Sequence, residues 1–251
     1  SYLTILKTEN ILNIKKLCIT LILTTTFITN IVHAGSLQEA KNAIDQKNYK
    51  LAREIYEVLA QEGDAKAQYN LGLMYASGDG VSYDAAQAAS WYKKSASQGY
   101  REAQYALAVM TFNKELEDLD YTQAIKWYQA AAAQGHVRSQ ENLGMLFYRG
   151  DAIEQDINSS IYWFQLAANQ NSSEAQQYLA YIYSNGAIPE DIVKAGMWMM
   201  LSADNPDSRH KNKRTNLLKF LSSKMTTEQI SQARQLANKC VEQQFKNCQA
   251  L

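Results

Sequence analysis

Apolar and small residues recur along most of this chain with the spacing of helices, and the helical pattern itself repeats every 36 residues. Gln68, Gln104, Gln140 and Gln176 stand at exact 36-residue steps, as do the small residues Ala67, Ala103, Ser139 and Ala175. Gly72, Ala108, Gly144 and Ala180 form a third such series. A position that admits only Gly or Ala at each recurrence predicts that a neighbouring helix passes close by. Downstream in each copy, Asp84, Asp120, Asp156 and Asp191 precede Trp91, Trp127, Trp163 and Trp198 by seven residues. Asp suits an N-cap, because its carboxylate accepts an orphan backbone N–H at the positive end of the helix dipole. Each second helix then meets Gly99, Gly135, Asn171 or Pro206, residues that cap or stop a helix.

The stretch Ala65 to Gly99 therefore predicts two helices and a turn, a unit that buries its apolar face only by stacking on copies of itself. Ala52, Ile55, Tyr56, Ala60 and Gly63 lie 36 residues before Ala88, Trp91, Tyr92, Ala96 and Gly99, so residues 36–63 read as a degenerate first hairpin. Ser36-Leu37-Gln38-Glu39 fits a capping box at its start. The period ends at Pro206. A polar-start helix over 208–223 and a second helix opened by Thr226 to Gln229, another capping-box match, are expected to cap the array. The tryptophans, in step with the small residues, are expected to be core.

The predicted organisation is a signal peptide over 1–34, a repeat array over 35–206 and a helical cap over 207–251. Lys15 and Lys16 lead into the apolar run Leu17 to Ile28, and Val32-His33-Ala34 suits cleavage after Ala34. No stable membrane span is expected after cleavage, and the localisation expected is periplasmic or secreted. Only two prolines and 11 glycines in 251 residues agree with an all-α fold. The leading segment holds Lys7, Lys15 and Lys16 against Glu9, which leaves 22 basic and 24 acidic residues beyond it. That balance argues against nucleic acid as partner. Beyond residue 34 the cysteines are Cys240 and Cys248, and an oxidising compartment favours a disulfide between them.

The string Ala67-Gln68-Tyr69-Asn70-Leu71-Gly72, with Tyr75, Gly78, Gly80-Val81, Asp84, Ala88, Trp91-Tyr92, Ala96 and Gly99, resembles a Sel-one-like repeat, a relative of the tetratricopeptide repeat. The resemblance covers about 52–206, and the second full copy lacks the turn glycines. Met225 to Ile230, with Ala233, Leu236 and Ala237, resembles the closing helix of bacterial members. The resemblance implies a right-handed α-solenoid that binds other proteins, and exported bacterial members act as envelope scaffolds, regulators or host-interaction factors.

Chemistry-bearing motifs are sparse. Ser90-Trp91-Tyr92-Lys93 matches the Ser-x-x-Lys of penicillin-recognising enzymes but has no Ser-Asp-Asn or Lys-Thr-Gly companion, so a cell-wall or β-lactam hydrolase is only the alternative function. His33, His136 and His210 make no metal spacing. The acidic run Glu115, Glu117, Asp118 and Asp120 reads as a solvated loop ending in a cap. The cluster Arg209, Lys211, Lys213 and Arg214 offers a second alternative, a glycan or lipid surface. No cofactor or metal is expected.

One face of each first helix is left unclaimed by the core, at steps of four, three and four. It carries Lys66, Asn70, Leu73 and Ser77, then Glu102, Ala106, Val109 and Asn113. The later copies give Arg138, Asn142, Met145 and Arg149, and Glu174, Tyr178, Tyr181 and Asn185. Residues that share a face yet differ between copies suit a concave groove reading an irregular protein or peptide partner of the cell envelope. A variable solvated face is the other reading of the same stripe. The candidate site is thus Lys66, Asn70, Leu73, Ser77, Asn113, Arg138, Asn142, Arg149, Tyr178, Tyr181 and Asn185.

Overall fold

The computed structural model describes residues 37–113, 121–186, 191–205, 211–246 and 248. Among these residues there are twelve α-helices and no strand: α1 (residues 37–45), α2 (Tyr49–Gln61), α3 (Ala65–Ser77), α4 (Ala85–Ser97), α5 (Arg101–Phe112), α6 (Tyr121–Ala133), α7 (Val137–Arg149), α8 (Ile157–Ala168), α9 (Ser173–Ser184), α10 (Ile192–Asp204), α11 (Lys211–Lys224) and α12 (Thr227–Glu242). The chain forms two compact units, one ending at Gln98 and one beginning at Gly99. Ser36, the segment 1–34, Asp120, the run 114–120 and Pro206 lie outside the described residues.

Among the described residues, α3, α4, α8 and α10 start at a capping aspartate. Asp84 accepts from the Gln87 N–H at 2.9 Å, Asp191 from Lys194 at 2.9 Å, and Asp156 from Asn158 and Ser159 at 2.9 and 3.2 Å. Asp64, which the repeat pattern did not single out, caps α3 through Ala67 at 2.6 Å. Such a cap contributes about 0.5–2 kcal/mol. The Thr226–Gln229 capping box is formed in both directions. At the other ends Gly99, Gly135 and Asn171 all take positive φ.

In the first unit, Ala40, Ala43, Ala52, Tyr56, Leu59, Ala60, Ala67, Leu71 and Met74 form one core between α1, α2 and α3. Helix α4 packs on α3 through Tyr92, which is 2% exposed. A Cβ on Gly72 would lie 2.6 Å from the Tyr92 ring, so the small position is set by the aromatic seated on it. The second unit repeats this contact. A Cβ on Gly144 would lie 2.7 Å from Phe164, and Ala108 shares a core cluster with Tyr128. Helices α5 to α10 pack each on the next, and α11 and α12 lie against α10. The Cys240–Cys248 disulfide is formed and fully buried beside α10 residues in the same core.

The tryptophans need correction. Trp91, Trp127 and Trp163 are only half-buried, and the residues after them, Tyr92, Tyr128 and Phe164, fill the core. The cause is helical phase: one step of 100° moves a side chain from the rim to the seam, and the following residue faces the small position. Trp198 alone is fully buried, where the same core cluster includes residues of α12.

The recurrent glutamines form a ladder. The Nε2 amides of Gln68 and Gln140 donate to the carbonyls of Ala60 and Ala132, each at 3.0 Å. Their Oε1 atoms accept from Gln98 and Gln170, both at 2.8 Å, and Gln104 accepts from Gln134 at 2.9 Å. Gln68 and Gln140 thus each tie the helix before them to the end of the helix after them.

Candidate functional site

In the first unit the unclaimed stripe becomes a cleft. Short connections at 46–48 and 62–64 make α1 and α3 both antiparallel to α2, so the two run the same way and expose a furrow between them. Lys66, Asn70, Leu73 and Ser77 all line this cleft, whose volume is about 700 Å³. Lys66, Leu73 and Ser77 are exposed and Asn70 is half-buried. Tyr56 and Met74 lie at its base, and Leu37, Gln38, Lys41, Ile44 and Asp45 of α1 form the opposite wall. Burial, and secondarily the charge of Asp45, raises the Tyr56 hydroxyl above its ordinary range.

The α1 wall escaped the repeat reading, although a signal for it was present. The turn between α3 and α4 spans seven residues and that between α1 and α2 only three, so the register on α1 slips by four. With that shift Ala40 falls at the position of Gly72, and Gln38, Lys41 and Asp45 fall at those of Asn70, Leu73 and Ser77. Gln38, Lys41 and Asp45 are three of the five α1 residues that line the cleft, with Leu37 and Ile44.

In the second unit the stripe divides. Tyr178, half-buried, stacks on Phe164 with ring centroids 4.9 Å apart and planes at 9°. Tyr148 stands 6.5 Å from Tyr178 and 6.2 Å edge-on to Tyr181, which is 45% exposed. The Asn185 amide donates to the Tyr148 hydroxyl at 3.4 Å. Burial and then Tyr181 raise the Tyr148 hydroxyl. Burial and Glu174 raise that of Tyr178, against a lowering by Arg149. Tyr148 is a member of this exposed aromatic patch that spacing alone did not mark.

Arg138 is exposed and lines a polar recess of about 250 Å³ with Glu141, Ser172 and Glu174, apart from these tyrosines. There Ser172 donates to Glu141 at 2.5 Å while accepting from the Ala175 N–H at 3.1 Å. Asn142 is half-buried, and its side chain hydrogen-bonds Tyr128, whose hydroxyl burial pushes up to about 12. Arg149 and Asn113 are exposed at the ends of α7 and α5.

The other candidates offer less. Ser90 and Lys93 are both exposed on α4. His136 is half-buried and caps α7, its Nδ1 accepting from the Ser139 N–H at 3.2 Å while its ring lies 4.5 Å from Tyr105. Burial lowers its pKa, opposed by Glu102 and assisted by Arg101 and Arg138. Among the described residues no group of three His, Cys, Asp or Glu side chains converges on a metal position, and no helix is long and apolar enough to cross a membrane. The acidic run 115–120, His33 and His210 lie outside the described residues, and the cluster at 209–214 lies outside the described side chains.

Comparison with known proteins agrees with this architecture. A crystal structure of a Sel1 repeat protein from Oxalobacter formigenes is similar with a TM-score of 0.60 and 29% identity, over 70% of this chain and 79% of that one. A protective antigen of uropathogenic Escherichia coli displaying an SLR fold shares the fold, with a TM-score of 0.51 and 24% identity over 87% of this chain and 56% of that one. A stretch of 54 residues is 39% identical to HRD3B of Arabidopsis thaliana, an ERAD-associated E3 ubiquitin-protein ligase component. That match takes in 22% of this chain and 9% of the curated relative's length. The Sel1 repeat matches residues 65–100, 101–136, 137–172 and 173–207, more than half of the sequence, and this chain belongs to the Sel1 repeat family.

Proposed function

We propose that this chain is a non-enzymatic interaction scaffold, exported to the periplasm or beyond the cell, that binds a protein or peptide through the faces its repeats leave variable. The observation that carries this reading is the cleft in the first unit: Lys66, Asn70, Leu73 and Ser77, which no packing role claims, line one concave surface with an apolar base. Concave, largely preformed surfaces of this size are what ligands occupy. The exposed tyrosine patch around Tyr181 adds a second contact area, of a residue type enriched at protein interfaces. Export is supported by the buried Cys240–Cys248 disulfide, since such bonds persist in oxidising compartments. A repeat stretch resembling a component of a ubiquitin-ligase assembly is consistent with a scaffolding role.

The experiment is a pull-down from envelope extract with the wild-type chain and an Arg138→Glu/Arg149→Glu variant. The variant loses the captured partner while its circular dichroism melt is unchanged. The same loss is expected from Lys66→Glu/Leu73→Asp in the cleft, and capture that survives both double variants contradicts the groove reading.

A further inference from the structure

The tyrosine patch of the second unit sets hydrogen-bond donors on a rigid aromatic backing. Phe164, wholly buried, stacks on the inner side of Tyr178 and holds that ring in place. Tyr148 stands at 77° to Tyr181 and is tilted 47° from Tyr178, so the three rings make a faceted surface.

The polar atoms on these rings form a chain with one direction. The Asn185 amide donates to the Tyr148 hydroxyl. Burial raises the Tyr148 pKa most, the nearby Tyr181 and a hydrogen bond with it add to the rise, and the Asn185 bond opposes it. A bond that raises a hydroxyl's pKa holds its proton in place, so Tyr148 donates to Tyr181. The Tyr181 hydroxyl therefore ends the chain with its own hydrogen still to give, on an exposed side chain. Donation along such a chain strengthens the last donor. Arg149 adds a second donor: it acts on Tyr178 against the rise that burial and Glu174 cause, and it is exposed with no ion-pair partner among the described residues. Glu174, the acidic group near Tyr178, lines the recess with Arg138.

The donors select the ligand. A chain in polyproline II form has no internal hydrogen bonds, so its carbonyls are all available, and its prolines carry no N–H in need of an acceptor. An ordinary strand or a glycan brings a donor for nearly every acceptor. Prolyl rings pack on aromatic faces, and a preformed helix loses little entropy on docking, which suits a patch of three rings.

Resting on the interaction reading above, we infer that the patch of Tyr148, Tyr178 and Tyr181 binds a proline-rich segment of a partner protein in polyproline II form, its prolyl rings on the tyrosines and its carbonyls on Tyr181 and Arg149.

Fluorescence anisotropy on the full chain tests this with the labelled peptide Pro-Pro-Leu-Pro-Pro-Leu-Pro and its counterpart Ala-Ala-Leu-Ala-Ala-Leu-Ala. The proline peptide is expected to bind at least about tenfold tighter, because it carries fewer unmet N–H groups and less entropy to lose. Tyr181→Phe keeps the ring and removes the donor, and is expected to weaken binding about three- to tenfold, the equivalent of one hydrogen bond. Tyr181→Ala removes both and weakens it further, and both variants keep the wild-type melt. Equal binding of the two peptides, wild-type affinity in either Tyr181 variant, or binding of chitotriose but of neither peptide overturns the inference. If neither peptide binds, this inference falls, and the Lys66→Glu/Leu73→Asp pull-down in the other unit decides the wider reading.

Discussion

Gln98 donates its side-chain amide to Oε1 of Gln68 across 2.8 Å, thirty residues back in the chain. The bond recurs from Gln134 to Gln104 and from Gln170 to Gln140, but the fourth copy breaks the series. Seven residues past Trp198 the chain has Asn205, one methylene shorter, which donates to the Asn171 carbonyl at 2.7 Å instead. Gln176 Oε1 is left buried without a hydrogen-bond partner among the described residues. Leaving such an acceptor unmet costs about 1–3 kcal/mol.

The ladder makes two opposite predictions. Gln140→Leu strands the Ala132 carbonyl and the Gln170 amide and is expected to cost about 1–3 kcal/mol in urea unfolding. Asn205→Gln can reach Gln176 Oε1 and is expected to gain about 0.5–1.5 kcal/mol. A neutral Gln140→Leu would show that the recurrence of glutamine has another cause.

Much of this was legible in the sequence, because repetition supplies its own alignment. The repeat located the helices, the caps at Asp84, Asp156 and Asp191 and the left-handed stops at Gly99, Gly135 and Asn171. What it could not supply was phase within a helix: every copy has a bulky residue directly after its tryptophan, and only packing shows that Tyr128, not Trp127, faces the core. The α1 side of the cleft was missed for a related reason, since a turn shortened by four residues broke the period that had revealed the α3 side. The partner of Asn142 was also invisible, because a hydrogen bond to Tyr128 depends on how two helices lie against each other.

The corrected core predicts an order of mutational cost in the second unit. Phe164→Ala, at a fully buried ring, is expected to lose about 3–5 kcal/mol, whereas Trp163→Ala, at a half-buried one, loses less than about half as much. Gly144→Ala forces a methyl to 2.7 Å from the Phe164 ring and is expected to cost about 1–3 kcal/mol. Chemical denaturation of the three variants measures this order. A larger loss at Trp163 than at Phe164 would restore the tryptophans as the core residues.

His136 couples stability to mild acid. Its folded pKa is depressed, first by burial, and the Nδ1 acceptor at the start of α7 exists only in the uncharged ring. Glu102 opposes that depression, while Arg101 and Arg138 deepen it. The unfolded chain therefore binds the proton first as pH falls below about 6.5, and stability declines from there toward the folded pKa. His136→Asn keeps a cap and removes the titration. Between pH 7.5 and 5.5 the wild-type Tm is expected to fall more than that of His136→Asn. Parallel melts of the two proteins would exclude this role.

The central claim is that architecture and recognition occupy different residues of the same repeat, and site-specific photocrosslinking in native cells tests it most directly. A benzophenone side chain is placed either at Leu73, in the cleft, or at Lys93, exposed on α4. The account predicts a discrete adduct from Leu73 that excess wild-type protein competes away, and none from Lys93. The same adduct from Lys93, with Leu73 silent, would contradict it.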